Sequence, residues 1–176
     1  MSFYQKAMHV GKKFVKPATL YKWGFNLSPM YRRTTGKIIE ISDDFTHIRI
    51  RIKRNYKNMN YVGSIFGGSL FGAVDPIPMT QFLNIYEEKY VVWDKAAQIR
   101  FKRPARETVY ADFDVKEEWI ASIEAAVLDK KEYEFQVVTK ITNKDGSVVF
   151  CEVEKTVYIA DKAFYKQKIA ARKQKA

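Results

Sequence analysis

A polar loop, a glycine pair and one carboxylate lie close together between Asn60 and Asp75, in an otherwise apolar part of the chain. The stretch reads Asn-Tyr-Val-Gly-Ser-Ile-Phe-Gly-Gly-Ser-Leu-Phe-Gly-Ala-Val-Asp. Removing a charge from water is costly unless the charge is paired or used. A carboxylate at the end of such a run therefore calls for a functional explanation.

The first half of this segment can bind a carbonyl oxygen. Ser64 is expected to cap a helix and to leave the N–H groups near Phe66, Gly67 and Gly68 at its positive end. Glycine lets a ligand oxygen approach the backbone without a Cβ in the way. Such a row of donors suits a thioester carbonyl and the oxyanion that forms when it is attacked. The side chain of Asn60 can add another N–H.

The carboxylate lies too far along the helix to serve the same carbonyl. Asp75 follows Gly68 by seven residues, which is about 10.5 Å along a helix. Asp75 therefore cannot act on a carbonyl at Gly67 within one chain. If both act in one site, a neighbouring subunit must supply the second half, so the spacing predicts a dimer.

A purely structural interpretation of the same residues stays open. Asp75-Pro76 is also a good N-cap followed by proline at the first helical position. With Pro78 close behind, the apolar stretch would form two helices with a break, and Asp75 would only cap the second. The glycines would then serve the close approach of helix and sheet, and Asn60 would be an ordinary turn residue.

The amino-terminal part predicts helix. Phe3, Ala7, Val10 and Phe14 recur at helical spacing in an amphipathic pattern. We expect Pro17 to end this helix and a second helical turn, capped by Thr19, to follow. Residues 1–30 would form a helical extension, and the basic residues 162–176 would form a helix or a frayed tail.

From residue 37 onward an alternating apolar pattern predicts strands. Residues 37–41 and 46–52 form an expected hairpin around a Ser-Asp-Asp turn, and the apolar stretch 65–86 is long enough for a buried helix. A short helix is expected at 119–128. The remaining expected strands are 90–103, 107–118, 132–143 and 147–159, the last two joined by the hairpin turn Asn143-Lys-Asp-Gly146.

This order of elements predicts an α+β protein in which an antiparallel sheet buries its apolar face on one long central helix. That arrangement is the hotdog fold, here over residues 31–161. The sequence alone already favours one domain over two, because 176 residues give one good core and are few for a pair.

The motif and its surroundings resemble hotdog-fold acyl-CoA thioesterases of the phenylacetyl-CoA type. In those enzymes an Asn stands six residues before a His-Gly-Gly, and an Asp follows the His by nine. Asn60, Phe66-Gly67-Gly68 and Asp75 reproduce both intervals. Together with Val92-Trp-Asp-Lys-Ala-Ala97 and Ile99-Arg-Phe101, they resemble the branch known as domains of unknown function or tetrameric acyl-CoA thioesterases, over about residues 27–161.

The resemblance implies a role for each matching position. Gly67 and Asn60 would orient and polarise the thioester carbonyl, with Gly68 and Phe66 beside the substrate. Asp75 of the partner subunit would be the general base for water or the direct nucleophile. Phe66 departs from the family, because many relatives have His at that position.

Two further residues are weaker candidates for substrate contacts. Asp94 lies where related thioesterases place a polar assisting residue, although a surface pair with Lys95 explains it equally well. Arg103 belongs to a basic run that could meet the phosphates of coenzyme A, and such a run is also typical of a solvated strand face.

Composition excludes several other chemistries. His9 and His47 are the only histidines and Cys151 the only cysteine, so no zinc cluster and no disulfide within the chain is expected. The alternation around Cys151 indicates a packed core thiol. We expect a cytoplasmic protein without cofactor or metal, in which coenzyme A enters only as part of the substrate.

The net charge of +11 is concentrated at the ends of the chain. Residues 1–39 carry eight Lys/Arg and residues 162–176 carry six, with no acid in either range. A basic surface can bind nucleic acid or anionic lipid, and equally can serve solubility. We expect no nucleic-acid partner, and membrane contact is not favoured, because the amino-terminal helix is short and modestly aromatic.

The sequence thus predicts an acyl-CoA thioesterase that self-associates as a homodimer or tetramer. The alternative is a non-catalytic protein that binds acyl-CoA or lipid with the same fold. The replacement of His by Phe66 is the observation that supports this alternative.

Overall fold

The structure, a computed structural model, describes residues 15–174. This part of the chain forms six strands and six helices. In chain order they are α1 Pro17–Leu27, α2 Pro29–Arg33, β1 Gly36–Ile41, β2 His47–Ile52, α3 Gly67–Val74, α4 Pro76–Ile85, β3 Tyr90–Phe101, β4 Val109–Asp114, α5 Glu117–Lys130, β5 Glu132–Thr142, β6 Val149–Asp161 and α6 Lys162–Lys173.

All six strands form one antiparallel sheet in the order β1-β2-β4-β5-β6-β3. The predicted strands and the short helix before β5 are confirmed, with boundaries shifted by a few residues. The hairpin turn is also confirmed, and Gly146 adopts the positive φ of 78° that such a turn requires. The basic segment after Asp161 forms α6.

The predicted central helix is two helices rather than one. α3 ends at Val74 and α4 begins at Pro76, and Asp75 between them keeps a right-handed helical backbone. A proline cannot donate its backbone N–H and clashes with the preceding turn, which explains the break. Both helices bury apolar side chains under the sheet, including Leu70, Val74, Ile77 and Phe82.

The amino-terminal helix differs from expectation where the structure describes it. The amphipathic segment 3–14 lies outside the described residues. Pro17 begins α1, because a proline is tolerated at the first helical position. Thr19 consequently lies inside α1 and caps nothing. Ala18 and Tyr21 are buried in the main core, so α1 packs on the sheet.

The two edge strands of the sheet, β1 and β3, differ in how far they are covered by other residues. On β1, the side-chain amide of Asn26 donates to the carbonyl of Ile38 and accepts from its N–H, both at 2.9 Å. The ammonium of Lys22 donates to the neighbouring carbonyl of Ile39. On β3, by contrast, every residue from Trp93 to Gln98 is exposed. We refer to these as the protected β1 edge and the open β3 edge.

Candidate active site

Three of the sequence-predicted residues line one cleft at the start of α3. The cleft has a volume of about 420 Å³. Asn60, Gly67 and Arg103 lie in its wall, together with Ser64, Leu70, Phe101 and Lys102. We call it the amide cleft, because its floor contains the first turn of a helix.

The first two amides of α3 are available for a ligand. The N–H groups of Ser69 and Leu70 both donate to the carbonyl of Phe66, at 2.9 and 3.2 Å. The N–H groups of Gly67 and Gly68 donate to no acceptor among residues 15–174. These donors stand at the positive end of the helix, with Arg103 in the same wall and Lys102 there paired with Glu152 at 2.9 Å. The cleft is therefore electropositive and suited to a carbonyl oxygen or an oxyanion.

Two phenyl rings explain why glycines occupy these positions. A Cβ on Gly67 would lie 2.7 Å from the ring of Phe101, and one on Gly68 would lie 2.3 Å from the ring of Phe66. Real Cβ contacts are longer, so a larger residue would have to displace a ring. Both rings are about half exposed, at 57% for Phe66 and 55% for Phe101. Together they form an apolar rim beside the free amides.

Asn60 and Ser64 have a local partnership that differs from the sequence prediction. Ser64 was expected to cap α3, but the N-cap position is Phe66 and no side chain caps it. The Asn60 side chain instead accepts from the backbone N–H of Ser64 at 3.0 Å and donates to its hydroxyl at 2.9 Å. The pair closes the loop in front of the helix. Asn60 therefore shapes the amide cleft, with its amide group already engaged by Ser64.

Asp75 and Asp94 meet at a second location, on a buried lysine. The ammonium of Lys155 donates to a carboxylate oxygen of Asp75 at 2.8 Å and of Asp94 at 2.6 Å. It also donates to the backbone carbonyl of Asp75. The Lys155 side chain is 2% exposed, whereas those of Asp75 and Asp94 are 43% and 28% exposed. We call these three residues the carboxylate cluster.

The helix-cap interpretation of Asp75 is not what the structure shows. Its side chain makes no capping hydrogen bond, although the residue occupies the N-cap position of α4. One oxygen is bound to Lys155 and the other has no hydrogen-bond partner in the described chain. The proposed surface pair of Asp94 with Lys95 is also wrong. Lys95 pairs instead with Glu134 at 2.5 Å.

The environment of Asp94 favours its protonated form. Burial raises the pKa of this carboxyl, and the nearby Asp75 carboxylate raises it further. The hydrogen bond and charge of Lys155 act in the opposite direction but do not cancel the effect. The pKa of Asp94 therefore lies above that of an ordinary aspartate.

Lys155 was missed by reasoning from the sequence. In β6 the side chains of residues 151, 153, 157 and 159 are apolar and face the core. Because strand side chains alternate between the two faces, Lys155 falls on this apolar face. A lysine in that register needs a carboxylate partner. The alternation of side chains along β6 could therefore have identified Lys155 from the sequence.

The structure thus sorts the predicted residues into two groups. Asn60, Gly67 and Arg103 line the amide cleft, with Phe66 and Gly68 beside it, and Asp75 and Asp94 lie in the carboxylate cluster. Asp75 does not line the cleft. Eight residues separate Gly67 from Asp75, about 12 Å along the helix axis.

The family domain of unknown function DUF4442 matches residues 18–159, most of the chain. The chain belongs to this family. The matched range contains both the amide cleft and the carboxylate cluster. No curated protein matches the sequence.

Several solved structures share the fold of this DUF4442 chain. Protein PA5026 of Pseudomonas aeruginosa is 18% identical with a TM-score of 0.72, and the match covers 81% of this chain and 95% of that one. Thioesterase HI1161 of Haemophilus influenzae is 14% identical with a TM-score of 0.58, covering 82% and 90%. A Chlorobaculum tepidum protein of unknown function is 12% identical with a TM-score of 0.62, covering 90% and 94%. At these identities the likeness establishes the fold.

Two further observations concern residues 15–174 only. They contain no group of three or more His, Cys, Asp or Glu side chains placed to hold a metal ion. Within the same range, no helix is long and apolar enough to cross a membrane.

Proposed function

We propose that this protein hydrolyses an acyl-CoA thioester to a free acid and coenzyme A. The observation that carries the proposal is a matched pair of half-sites. Gly67 offers an unused amide in an electropositive cleft, with that of Gly68 beside it, and Asp75 offers a half-exposed carboxylate oriented by a buried ammonium. The names of the fold neighbours agree with it, since HI1161 is called a thioesterase and PA5026 a probable thioesterase.

In the proposed reaction the amide cleft binds the thioester carbonyl. The N–H of Gly67 donates to the carbonyl oxygen and donates more strongly once that oxygen becomes an oxyanion. Arg103 lines the same cleft and would meet a phosphate oxygen of coenzyme A. The rings of Phe66 and Phe101 would contact the acyl chain or the pantetheine arm.

The carboxylate cluster supplies the base. Asp75 takes a proton from a water molecule, whose oxygen attacks the thioester carbon to give a tetrahedral oxyanion. Collapse of that intermediate breaks the carbon–sulfur bond, and the thiolate of coenzyme A leaves and takes up the proton. Lys155 fixes one oxygen of Asp75 at 2.8 Å and leaves the other free for the water.

The two halves meet only if two copies associate through β3. Phe101 covers Gly67 at one end of the open β3 edge, and Asp94 of the carboxylate cluster lies seven residues earlier, about 24 Å along the strand. An antiparallel pair of β3 strands in which Gln98 lies opposite Gln98 of the partner subunit would place Asp94 of the partner subunit opposite Phe101, because the bulge between Asp94 and Ala96 adds one residue to the strand. This pairing would bring the partner's carboxylate cluster to the amide cleft.

The proposal is tested by thiol release from a panel of acyl-CoA substrates of different chain lengths. Asp75→Ala removes the base and is expected to lower turnover by about 10² to 10⁴-fold. Asp129→Ala is the matched control, because Asp129 is an exposed carboxylate on α5 and should leave turnover unchanged. Undiminished turnover in Asp75→Ala would contradict the assignment.

A second function, binding of acyl-CoA without hydrolysis, is favoured by one observation. The thioesterases that this sequence resembles have a histidine where this chain has Phe66, whose ring packs against Gly68 and supplies no polar group to the carbonyl. Absence of turnover with every acyl-CoA, together with measurable acyl-CoA binding by calorimetry, would establish this function in place of the first.

A further inference from the structure

A second concave surface lies far along the sheet from the carboxylate cluster, between the end of α1 and the outer face of the β1–β2 hairpin. It has a volume of about 420 Å³. Its wall contains four cationic side chains, and the exposed Leu27 stands at its margin. We call it the basic groove, and its cations are Arg32, Lys37, Arg51 and Lys53.

The cations of the basic groove have no anionic partners. None of the four forms an ion pair or a side-chain hydrogen bond with any residue from 15 to 174. Residues 17–39 contain four Lys/Arg, residues 48–74 contain five, and neither range contains an acid. The preceding residues 1–14 contain no acid side chain either.

The neighbouring positions on β2 show that this excess of unpaired positive charge is local. His47 pairs with Asp114 at 2.6 Å, and Arg49 pairs with Asp112 at 3.5 Å and stands directly opposite Glu40.

Arg51 continues the same row, but its cross-strand neighbours are Lys37 and Tyr110. Like charges directly opposite each other on a sheet are destabilising. An anion bound between Lys37 and Arg51 would remove that repulsion.

Exposed apolar side chains adjoin the groove. Leu27 is 71% exposed, Trp23 one turn earlier on α1 is 54% exposed, and Met30 at the start of α2 is 55% exposed. Trp23 and Leu27 share a helix face because they are four residues apart. Aliphatic side chains gain nothing from a phosphate or from a nucleic-acid backbone, but they gain from contact with the acyl boundary of a bilayer.

We propose that the basic groove docks this protein on the surface of an anionic membrane. Lys37 and Arg51 bind lipid phosphates, and Trp23, Leu27 and Met30 enter the headgroup layer. This differs from the sequence-based expectation, in which membrane contact was not favoured. The membrane is favoured over nucleic acid because apolar and cationic side chains share one surface, as in amphipathic segments at bilayer interfaces.

The test is sedimentation of the full-length protein with vesicles of phosphatidylserine and phosphatidylcholine in equal parts, against vesicles of phosphatidylcholine alone. We expect binding to the anionic vesicles only. Lys37→Gln/Arg51→Gln should weaken binding about 30-fold, since each cation near an anionic surface contributes about fivefold. Lys89→Gln/Lys140→Gln removes the same charge from exposed sites outside the groove and should change binding little.

Insertion is read separately from the fluorescence of Trp23. Anionic vesicles should shift the emission of the protein to shorter wavelength, and Trp23→Phe should abolish that shift, although Trp93 and Trp119 remain.

Three results would overturn the proposal. The first is an equal loss of vesicle binding in the two double variants, which would show a general charge effect. The second is binding of inorganic phosphate, lost in Lys37→Gln/Arg51→Gln, without any vesicle binding. The third is binding of duplex DNA at least as tight as that of anionic vesicles at the same salt concentration.

Discussion

The two edges of the sheet show opposite treatments of the same physical problem. An edge strand exposes unpaired N–H and C=O groups that can pair with another chain. On β1 the side-chain amide of Asn26 occupies both groups of Ile38, as a neighbouring strand would. On β3, twice as long at twelve residues, Trp93 to Gln98 lie exposed. The difference leaves one edge covered by a side chain and the other exposed along its middle.

The open β3 edge also borders both halves of the proposed site. Phe101 at its end covers Gly67, and Asp94 binds Lys155. No residue of the protected β1 edge contacts the carboxylate cluster by a hydrogen bond or ion pair among the described residues. Assembly and chemistry are therefore expected to depend on β3 and to be indifferent to β1.

The largest effect is expected from charging the open edge. Ala97→Asp/Gln98→Asp would place four carboxylates together at the proposed two-fold axis, where like charges on adjacent strands repel. The protein should become monomeric by light scattering, and turnover should fall at least about 100-fold, because the base would no longer reach the carbonyl. Lys37→Asp makes a comparable change on β1 and should leave both size and turnover intact. Equal dissociation by the two variants would refute the distinction between the edges.

The next effect concerns the lysine that anchors β3 to the helix break. Lys155→Met leaves Asp75 and Asp94 close together without their cation. The free energy of unfolding should fall by about 3 kcal/mol, at the lower end of the range for buried pairs because the Asp75 carboxylate is 43% exposed. Urea unfolding measures the loss, and Lys140→Met on the exposed face of β5 is the control. Lys155→Met/Asp94→Asn should regain part of the lost free energy of unfolding, because it removes the repulsion between the two carboxylates. If the double variant is no more stable than Lys155→Met, that repulsion is not the cause of the loss.

A smaller effect is expected from removing the protection of β1. Asn26→Ala leaves the N–H and carbonyl of Ile38 without partners and should cost about 1–3 kcal/mol of unfolding free energy. It should also promote association through β1, seen as concentration-dependent light scattering. Gln98→Ala, which removes an amide from β3 that makes no hydrogen bond in the described chain, should do neither. An unchanged stability in Asn26→Ala would show that this edge does not need its side-chain partner.

The smallest effect is the pH dependence introduced by Asp94. Burial and the Asp75 charge raise the pKa of this carboxyl in the folded state, so the folded protein binds the proton more tightly than the unfolded chain. Its contribution to stability must then fall as pH rises from its unfolded pKa, about 4, through the raised folded value. The stability difference between wild type and Asp94→Asn, measured by urea unfolding, should decrease across that acidic window and then level off. A difference that grows with pH there would contradict the sign.

Most of the fold follows from the sequence, because the alternation of apolar residues fixes which side of each strand is buried. This pattern was sufficient to predict the strands from β1 to β6 and the helix before β5. The pair Asp75-Pro76 predicted the position of the helix break, but only as one of two alternatives. A local pattern cannot show whether the Asp75 side chain caps the second helix or pairs with a residue eighty positions away.

The site was less accessible to prediction for the same reason. The intervals between Asn60, Gly67 and Asp75 identified the candidates, but the partner of each is non-local or unexpected. Lys155 reaches the carboxylates only through the pairing of β6 with β3. Ser64 engages Asn60 because the loop closes on itself. Such contacts form only when the chain folds, and the spacing of residues within one segment does not predict them.

The central claim, that each active site is shared between two subunits, can be tested by mixing two inactive variants. Asp75→Ala disables the carboxylate cluster and Gly67→Val fills the amide cleft. In a mixed dimer one site would combine the intact cleft of one subunit with the intact Asp75 of the other. After dissociation and reassociation in equal amounts, thioester hydrolysis should return to about a quarter of the wild-type rate, from random pairing in a two-fold dimer. Mixtures that stay as inactive as their components, although mixed dimers form, would contradict the shared site.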